Sequence, residues 1–188
     1  EEAARLFISD CKFWAQIQNL AAKDLGELLI DAKGRATAQS LEFATGRRVT
    51  SMSSNPDAQA GKRGSRVLDE YALHPDQPKM WAIAYPGITW GGVLEAFSTH
   101  RGSYSFFNRL IREVRFGGNP KKISLHRVTL QDALEQGFLF KLQQALPADD
   151  ERQGMDEKEY FDFIKSGAAD EESFDQEYMC IPADDDAK

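Results

Sequence analysis

Near the start of the chain, apolar residues recur at roughly three- and four-residue spacings: Leu6, Phe7, Cys11, Phe13, Trp14, Ile17 and Leu20. That spacing predicts one amphipathic helix over residues 2–30, with Gly26 as a possible break and Asp31-Ala32-Lys33-Gly34 as a turn. The period then falls to two. Leu41-Glu42-Phe43 alternates, Thr45-Gly46 turns, and Arg48-Val49-Thr50-Ser51-Met52 returns, which predicts a hairpin. A polar loop follows, from Ser53-Ser54-Asn55-Pro56-Asp57 to Gly61-Lys62-Arg63-Gly64. From residue 66 onward, short apolar runs alternate with helical periods. Arg66-Val67-Leu68 and Val93-Leu94-Glu95-Ala96-Phe97 read as strands. Met80 to Tyr85, between them, reads as a helix stopped by Pro86-Gly87. Ser105 to Phe116 carries Phe106, Phe107, Leu110, Ile111 and Val114 on one side, and Gly117-Gly118-Asn119-Pro120 ends it. Ile123 to Val128 is a third strand candidate, Thr129 to Phe138 a helix, and a last helix falls around Glu157–Ile164. Strand and helix alternating from 66 to 138 argue for an α/β fold with a mostly parallel sheet, helices on its faces and right-handed crossovers. The hairpin is then an antiparallel decoration. There is no internal repeat.

Length and composition fit this picture. The chain has 188 residues, enough for one domain with a real core, and its 41% hydrophobic and 11% aromatic content is that of a globular protein. No apolar run reaches membrane-spanning length; Met80 to Phe97 is interrupted by Pro86, Gly87, Gly91, Gly92 and Glu95. Glu1-Glu2-Ala3-Ala4-Arg5 does not read as a signal peptide. Cys11 and Cys180 are too few and too far apart for a disulfide framework or a metal site, and read as reduced packing thiols. The net charge of −7 hides an asymmetry. Residues 149–188 hold 15 Asp+Glu and 4 Lys+Arg, a balance of −11, whereas residues 1–148 hold 15 and 19, a balance of +4. A mildly basic body is compatible with a polyanionic partner.

The candidate chemistry sits where the two strand runs end. Val67-Leu68 leads into adjacent carboxylates, Asp69-Glu70, and Tyr71-Ala72-Leu73-His74 follows. In nucleotide hydrolases an Asp so placed holds Mg²⁺, and the Glu orients or deprotonates the attacking water. The second run ends in Ser98-Thr99-His100-Arg101-Gly102. Two successive strands ending in polar residues suggest one ligand site along the carboxyl edge of a sheet. A plainer reading stands beside this one: acidic pairs cap turns at many strand ends, and Ser98-Thr99 is also an N-cap or turn sequence. His74, His100 and His126 lack ligand spacing and read as turn or packing residues. Trp14, Trp81 and Trp90 read as core or interface aromatics. Arg47-Arg48 and Lys62-Arg63 are candidate DNA contacts, or a solvated hairpin tip and loop.

These segments together resemble a known family. Val67-Leu68-Asp69-Glu70-Tyr71-Ala72, Glu95-Ala96-Phe97-Ser98-Thr99-His100-Arg101-Gly102 and Phe107-Asn108-Arg109-Leu110-Ile111 are similar to the ATPase core of phage large terminases, above all those of Mu-like phages and prophages. Ser124-Leu125-His126-Arg127-Val128-Thr129-Leu130 extends the resemblance. Phe174-Asp175-Gln176-Glu177-Tyr178-Met179-Cys180-Ile181-Pro182 resembles the segment closing that ATPase domain ahead of a nuclease. The resemblance covers roughly residues 1–183. It implies a P-loop NTPase-like core, with residues 1–148 as part of it and 149–188 as its acidic closing segment. It implies ATP and Mg²⁺ as cofactors, with Asp69 as metal ligand and Glu70 as catalytic carboxylate. Ser98 and Thr99 would form the coupling motif that senses the γ-phosphate, and His100 joins them as a nucleotide-contact candidate because it adjoins that motif. It further implies double-stranded DNA, a portal protein and a small terminase subunit as partners, a possible homo-oligomeric ring, and work in the host bacterial cytoplasm, transiently at the procapsid portal.

The chain departs from the family pattern in two respects. It has no G-x-x-x-x-G-K-[ST] phosphate loop; Gly61-Lys62-Arg63 lacks the leading Gly and the Ser/Thr. It also has no nuclease domain. Without the backbone cradle and lysine, Mg-ATP affinity and hydrolysis by this chain alone are expected to be negligible. Where relatives place Arg-Gly before the acidic strand, this chain has Ala60-Gly61, so the arginine finger falls to Lys62, Arg63 or Arg66, with Arg63 ranked first. Two other functions remain open: a helicase-like ATPase, and a non-catalytic DNA- or portal-binding module. A sheet missing its phosphate-loop strand should also leave an exposed edge or apolar surface.

Overall fold

The computed structural model describes residues 2–18, 20, 22–29, 37–53, 55 and 59–184. The chain divides into two compact units, residues 1–66 with 78–94 and residues 67–77 with 95–188. Among the described residues it is an α/β protein with seven α-helices, a three-stranded antiparallel sheet and a two-stranded parallel sheet.

The first unit opens with helix α1 (Glu2–Ile17), which contacts a sheet of β1 (Ala22–Leu29), β2 (Thr37–Phe43) and β3 (Arg48–Met52) in the order β1-β2-β3. The helix is shorter than the predicted span of residues 2–30. It closes where Leu20 N–H reaches back to the Ala15 carbonyl (2.8 Å), and residues 22–29 pair with β2 instead. Gly26 is therefore not a helix break. It sits at φ +68° where the β1–β2 register shifts, and its N–H donates to Asp24 Oδ1 (2.9 Å), a β-bulge that glycine accommodates without strain. Among the residues of α1 whose burial is described, Ile8 and Ala15, one helical repeat of seven apart, are buried, while Leu6, Phe13, Trp14 and Ile17 stay largely exposed. The expected apolar face is thus displaced around the helix. The hairpin is present as predicted, Leu41 pairing Val49 and Glu42 pairing Arg48, with an Arg48–Glu42 ion pair across it. The expected turn at Asp31–Gly34, and Ser54, Pro56 and Asp57 of the polar loop, lie outside the described residues.

Helix α2 (Gln77–Ile88) runs through Pro86 rather than stopping before it. A proline near the C-terminal end removes one helical donor, and the helix has only two residues left to place. Gly87 cannot be replaced cheaply. A Cβ there would lie 2.8 Å from Arg66 Nη2 and 2.9 Å from the Lys62 carbonyl oxygen. Trp81 stacks on Tyr85 (6.4 Å), and Trp14 and Trp90 are exposed, so of the core and interface readings for these two only the interface one is left.

Strands β4 (Arg66–Leu68) and β5 (Leu94–Ala96) form the parallel pair. Arg66 N–H donates to Val93 O (2.8 Å) and Phe97 N–H to Leu68 O (2.9 Å), bonds whose partners advance together along both strands. The predicted third strand, Ile123–Val128, is not one. Its N–H and C=O at Ile123 are taken by the Asn119 side chain (2.9 Å each), and Val128 is exposed, so nothing recruits it to the pair. The parallel sheet is therefore the smaller of the two, and the antiparallel sheet read as decoration is the larger.

The rest of the second unit is helical. Helix α3 (Phe106–Phe116) is capped by Ser105, whose hydroxyl accepts the Asn108 N–H (3.1 Å). The single helix expected over 129–138 is two, α4 (Leu130–Glu135) and α5 (Phe138–Ala145), because Gly137 turns left-handed at φ +84° between them. Thr129 and Asp132 form a capping box at α4. The acidic segment carries α6 (Glu157–Gly167), close to the helix expected there, and also α7 (Glu171–Tyr178). Leu134, Leu139 and Tyr160 are buried together, with Leu130, Leu142, Met155, Phe161 and Ile164 around them. Phe174 of α7 is buried edge-on to Phe161 at 5.4 Å.

Candidate functional site

Within the second unit, the two strand ends converge. Leu68 is buried, Asp69 and Glu70 form an exposed turn, and a 3-10 turn (Tyr71–Leu73) follows. Tyr71 N–H donates to the Phe97 carbonyl (2.9 Å), and the Ser98 hydroxyl accepts the Ala72 N–H (3.0 Å). The acidic turn and Ser98 are therefore joined at one edge, as the strand pattern predicts. Asp69 Oδ1 accepts the Glu70 N–H (3.1 Å), and the His74 ring lies 3.2 Å from the Asp69 carbonyl. Glu70 adopts φ 47°, ψ 45° and makes no side-chain cap bond.

The turn rests on two residues that the sequence pattern did not single out. Tyr71 is fully buried against Phe106 and Phe107, and its hydroxyl donates to the Gln77 carbonyl (2.6 Å). Burial raises its phenol above the ordinary range. The Gln77 amide donates to Ala72 O (2.9 Å) and accepts Phe107 N–H (2.9 Å), tying the turn to the start of α3. The available signal was a lone amide between Pro75 and Pro78, which marks a chain reversal but not what the amide bonds.

The loop after β5 is fixed differently along its length. Ser98 retains its hydroxyl proton for a further acceptor, and Thr99 is half-buried beside it. His100 is buried, 5.8 Å from the Phe107 ring, with its Nδ1 unpaired. Burial first, and Arg115 second, hold its pKa below the usual 6.5, against a hydrogen bond to the Cys180 backbone. His100 is thus placed as a packing residue. Arg101 forms an ion pair with Glu177.

The cations considered for an arginine finger lie in the first unit. Arg63 covers the Trp90 ring at 4.8 Å, a cation–π contact. The Arg66 guanidinium is buried beside Gly87, with Nε and Nη2 unpaired and its pKa lowered by burial.

Chemically, the turn offers two exposed carboxylates and a hydroxyl donor. Mg²⁺ keeps several waters and takes one or two carboxylates alongside phosphate oxygens, so Asp69 fits a metal shared with a nucleotide. Among the described residues no group of three or more His, Cys, Asp or Glu could hold a metal by itself. Cys11 and Cys180 are free, partly buried thiols. None of the described helices is long and apolar enough to cross a membrane.

Fold and site thus define an α/β chain that presents an acidic turn and a serine at the carboxyl end of a parallel strand pair. The chain is 30% identical over 186 residues, 97% of its length, to Mu-like prophage FluMu protein gp28 of Haemophilus influenzae. It is also 30% identical over 187 residues, again 97%, to the probable terminase large subunit gp28 of Escherichia phage Mu. It belongs, as a segment, to this gp28 family of Mu-like terminase large subunits. The chain spans 35% and 33% of these two relatives, about a third of their length. No family model matches it, and no solved structure does.

Proposed function

We propose that this chain is part of the ATP-hydrolysing motor of a phage DNA-packaging terminase, within a P-loop NTPase-like core. The observation that supports this most is the Ser98–Ala72 bond, which joins the Asp69-Glu70 turn to the end of the neighbouring parallel strand. Asp69 ligates Mg²⁺, Glu70 orients or deprotonates the attacking water, and Ser98 with Thr99 faces the terminal phosphate. Mg-ATP supplies the phosphoryl group, and catalysis is then positioning and charge stabilisation. His100 acts behind Ser98 and Thr99 rather than on nucleotide, given its burial. Arg63 supplies the transition-state cation, which requires it to leave Trp90. Double-stranded DNA is the translocated substrate, with a portal protein and a small subunit as partners in the host cytoplasm. By itself the chain turns over ATP negligibly, because it carries no phosphate loop.

The test is DNA-stimulated ATP hydrolysis by this sequence extended to the length of its relatives, with Glu70→Gln alongside. Turnover that Glu70→Gln abolishes while ATP still binds supports the motor. Turnover unaffected by Glu70→Gln makes the acidic pair a structural turn and favours a non-catalytic DNA- or portal-binding role for this segment.

A further inference from the structure

Two consecutive residues of the loop after β5 are held by one short stretch at the end of α7. Gly102 N–H donates to Gln176 Oε1 (2.8 Å) and Arg101 pairs with Glu177, while the Cys180 backbone lies close enough to His100 to favour its protonated form. The stretch is itself anchored. Phe174 is buried edge-on to Phe161, Met179 and Ile181 N–H both return to the Asp175 carbonyl, and Cys180 Sγ donates to Val128 O (3.3 Å). Cys180 takes φ 55°, the left-handed conformation that turns its carbonyl out of the helical path. At its other end the same loop is held by Ser98 on Ala72. The five residues 98–102 therefore stretch between the acidic turn and the end of α7, without secondary structure of their own.

We infer that residues 176–180 form a latch that sets the position of the Ser98–Gly102 loop, with Gln176 as the positioning residue that keeps Ser98 on Ala72. Glu177 lies on a half-exposed ion pair and contributes little by itself. Gln176 matters more, because Gly102 is buried and its N–H has no water to turn to when the amide oxygen is lost. A force that moves α7 then draws on Gly102, shifts Ser98 and loosens the turn carrying Asp69 and Glu70. This deepens the nucleotide-site reading and rests on it for its functional meaning. The latch itself is a property of the fold without nucleotide.

Amide hydrogen exchange on the chain, with no nucleotide present, tests it independently of whether Asp69 and Glu70 act on ATP. Gln176→Leu removes the acceptor, and Gln176→Glu keeps one. The expected result is that Gln176→Leu accelerates exchange at both Gly102 and Ala72 about tenfold, on the scale of one lost hydrogen bond. Gln176→Glu stays within about twofold of the parent, and Leu134, Leu139 and Tyr160 are unchanged in both. Acceleration at Gly102 alone overturns the inference, since the bond then fails to reach Ser98. Acceleration spreading to Leu134, Leu139 and Tyr160 overturns it too, since Gln176 is then general support for the helical core. No acceleration at either amide also overturns it.

Discussion

Replacing Ser98 by alanine separates structural support from phosphate sensing. In the folded chain the Ser98 hydroxyl accepts the Ala72 N–H at 3.0 Å, and Ala72 is only 6% exposed. Alanine removes the acceptor and leaves that N–H without water, a loss of about 1–3 kcal/mol for a fully buried donor. Ser98 is itself half-buried, so some solvent reaches the gap, and the lower half of that range, about 1–2 kcal/mol, is the expected cost. With a mid-range urea m-value of about 2 kcal/mol/M, the unfolding midpoint falls by roughly 0.5–1 M. Urea titration followed by Ala72 amide exchange reads both effects at once, and Ser98→Thr, which keeps an oxygen, recovers most of the loss. If Ser98→Ala leaves the midpoint and Ala72 exchange unchanged, the bond carries no load and the turn is held by Tyr71 and Gln77 alone.

Four further outcomes follow from the structure. Glu70→Gly relieves a left-handed residue at φ 47° and stabilises the chain by about 1 kcal/mol in urea unfolding, while the extended protein loses ATP hydrolysis. Gly92→Ala puts a Cβ 2.7 Å from Gly64 C and 2.8 Å from Ser65 N, so backbone must move, and thermal unfolding registers a loss of about 1–3 kcal/mol. Gly154→Ala meets nothing within 4 Å and is neutral or slightly stabilising. His100 is held neutral in the fold, its pKa lowered from 6.5 first by burial and then by Arg115, so the unfolded chain binds the proton more readily. Stability therefore falls as pH drops below 6.5 towards the folded-state value, and that part of the slope disappears in His100→Gln; an unchanged slope in chemical unfolding at stepped pH refutes the assignment.

What could be read in the sequence follows from how locally each feature is specified. The hairpin, α3 and α6 rest on period and cap signals within about a dozen residues and appear close to where those signals place them, whereas α2 is present but runs past the Pro86-Gly87 stop at which its signal ends it. The extension of α1 to residue 30 had no such support, because its apolar spacing ends at Leu20 and strand β1 is recruited by pairing with β2. Ile123–Val128 shows the reverse error. A strand-like composition needs a partner edge, and here the Asn119 side chain takes the backbone groups at Ile123 first. The placement of Asp69, Glu70 and Ser98 at one sheet edge was legible because they follow directly from short apolar runs. Gln77, Gln176 and Glu177 were not, since an amide or carboxylate on a helix shows its partner only once the chain has folded across 30 to 76 positions.

The conformation of Glu70 bears on why a glutamate stands there at all. A left-handed residue is most cheaply a glycine, and a β-carbon at that position costs about 1–2 kcal/mol. Asn or Asp could offset this by bonding the local backbone, but Glu70 makes no cap bond, and its carboxylate is exposed. The neighbouring Asp69 already accepts the Glu70 N–H, so the turn does not need a second acid to close. Stability would thus favour a different residue at 70, and burial offers no compensation. Strain of this kind, at an exposed carboxylate in a turn tied through Ala72 to Ser98 of the neighbouring loop, is in keeping with the catalytic role proposed for Glu70. Glu70→Gly decides between the two: a gain in stability together with lost hydrolysis is the signature of a residue kept for chemistry, whereas a loss of stability would mean that the carboxylate supports the fold.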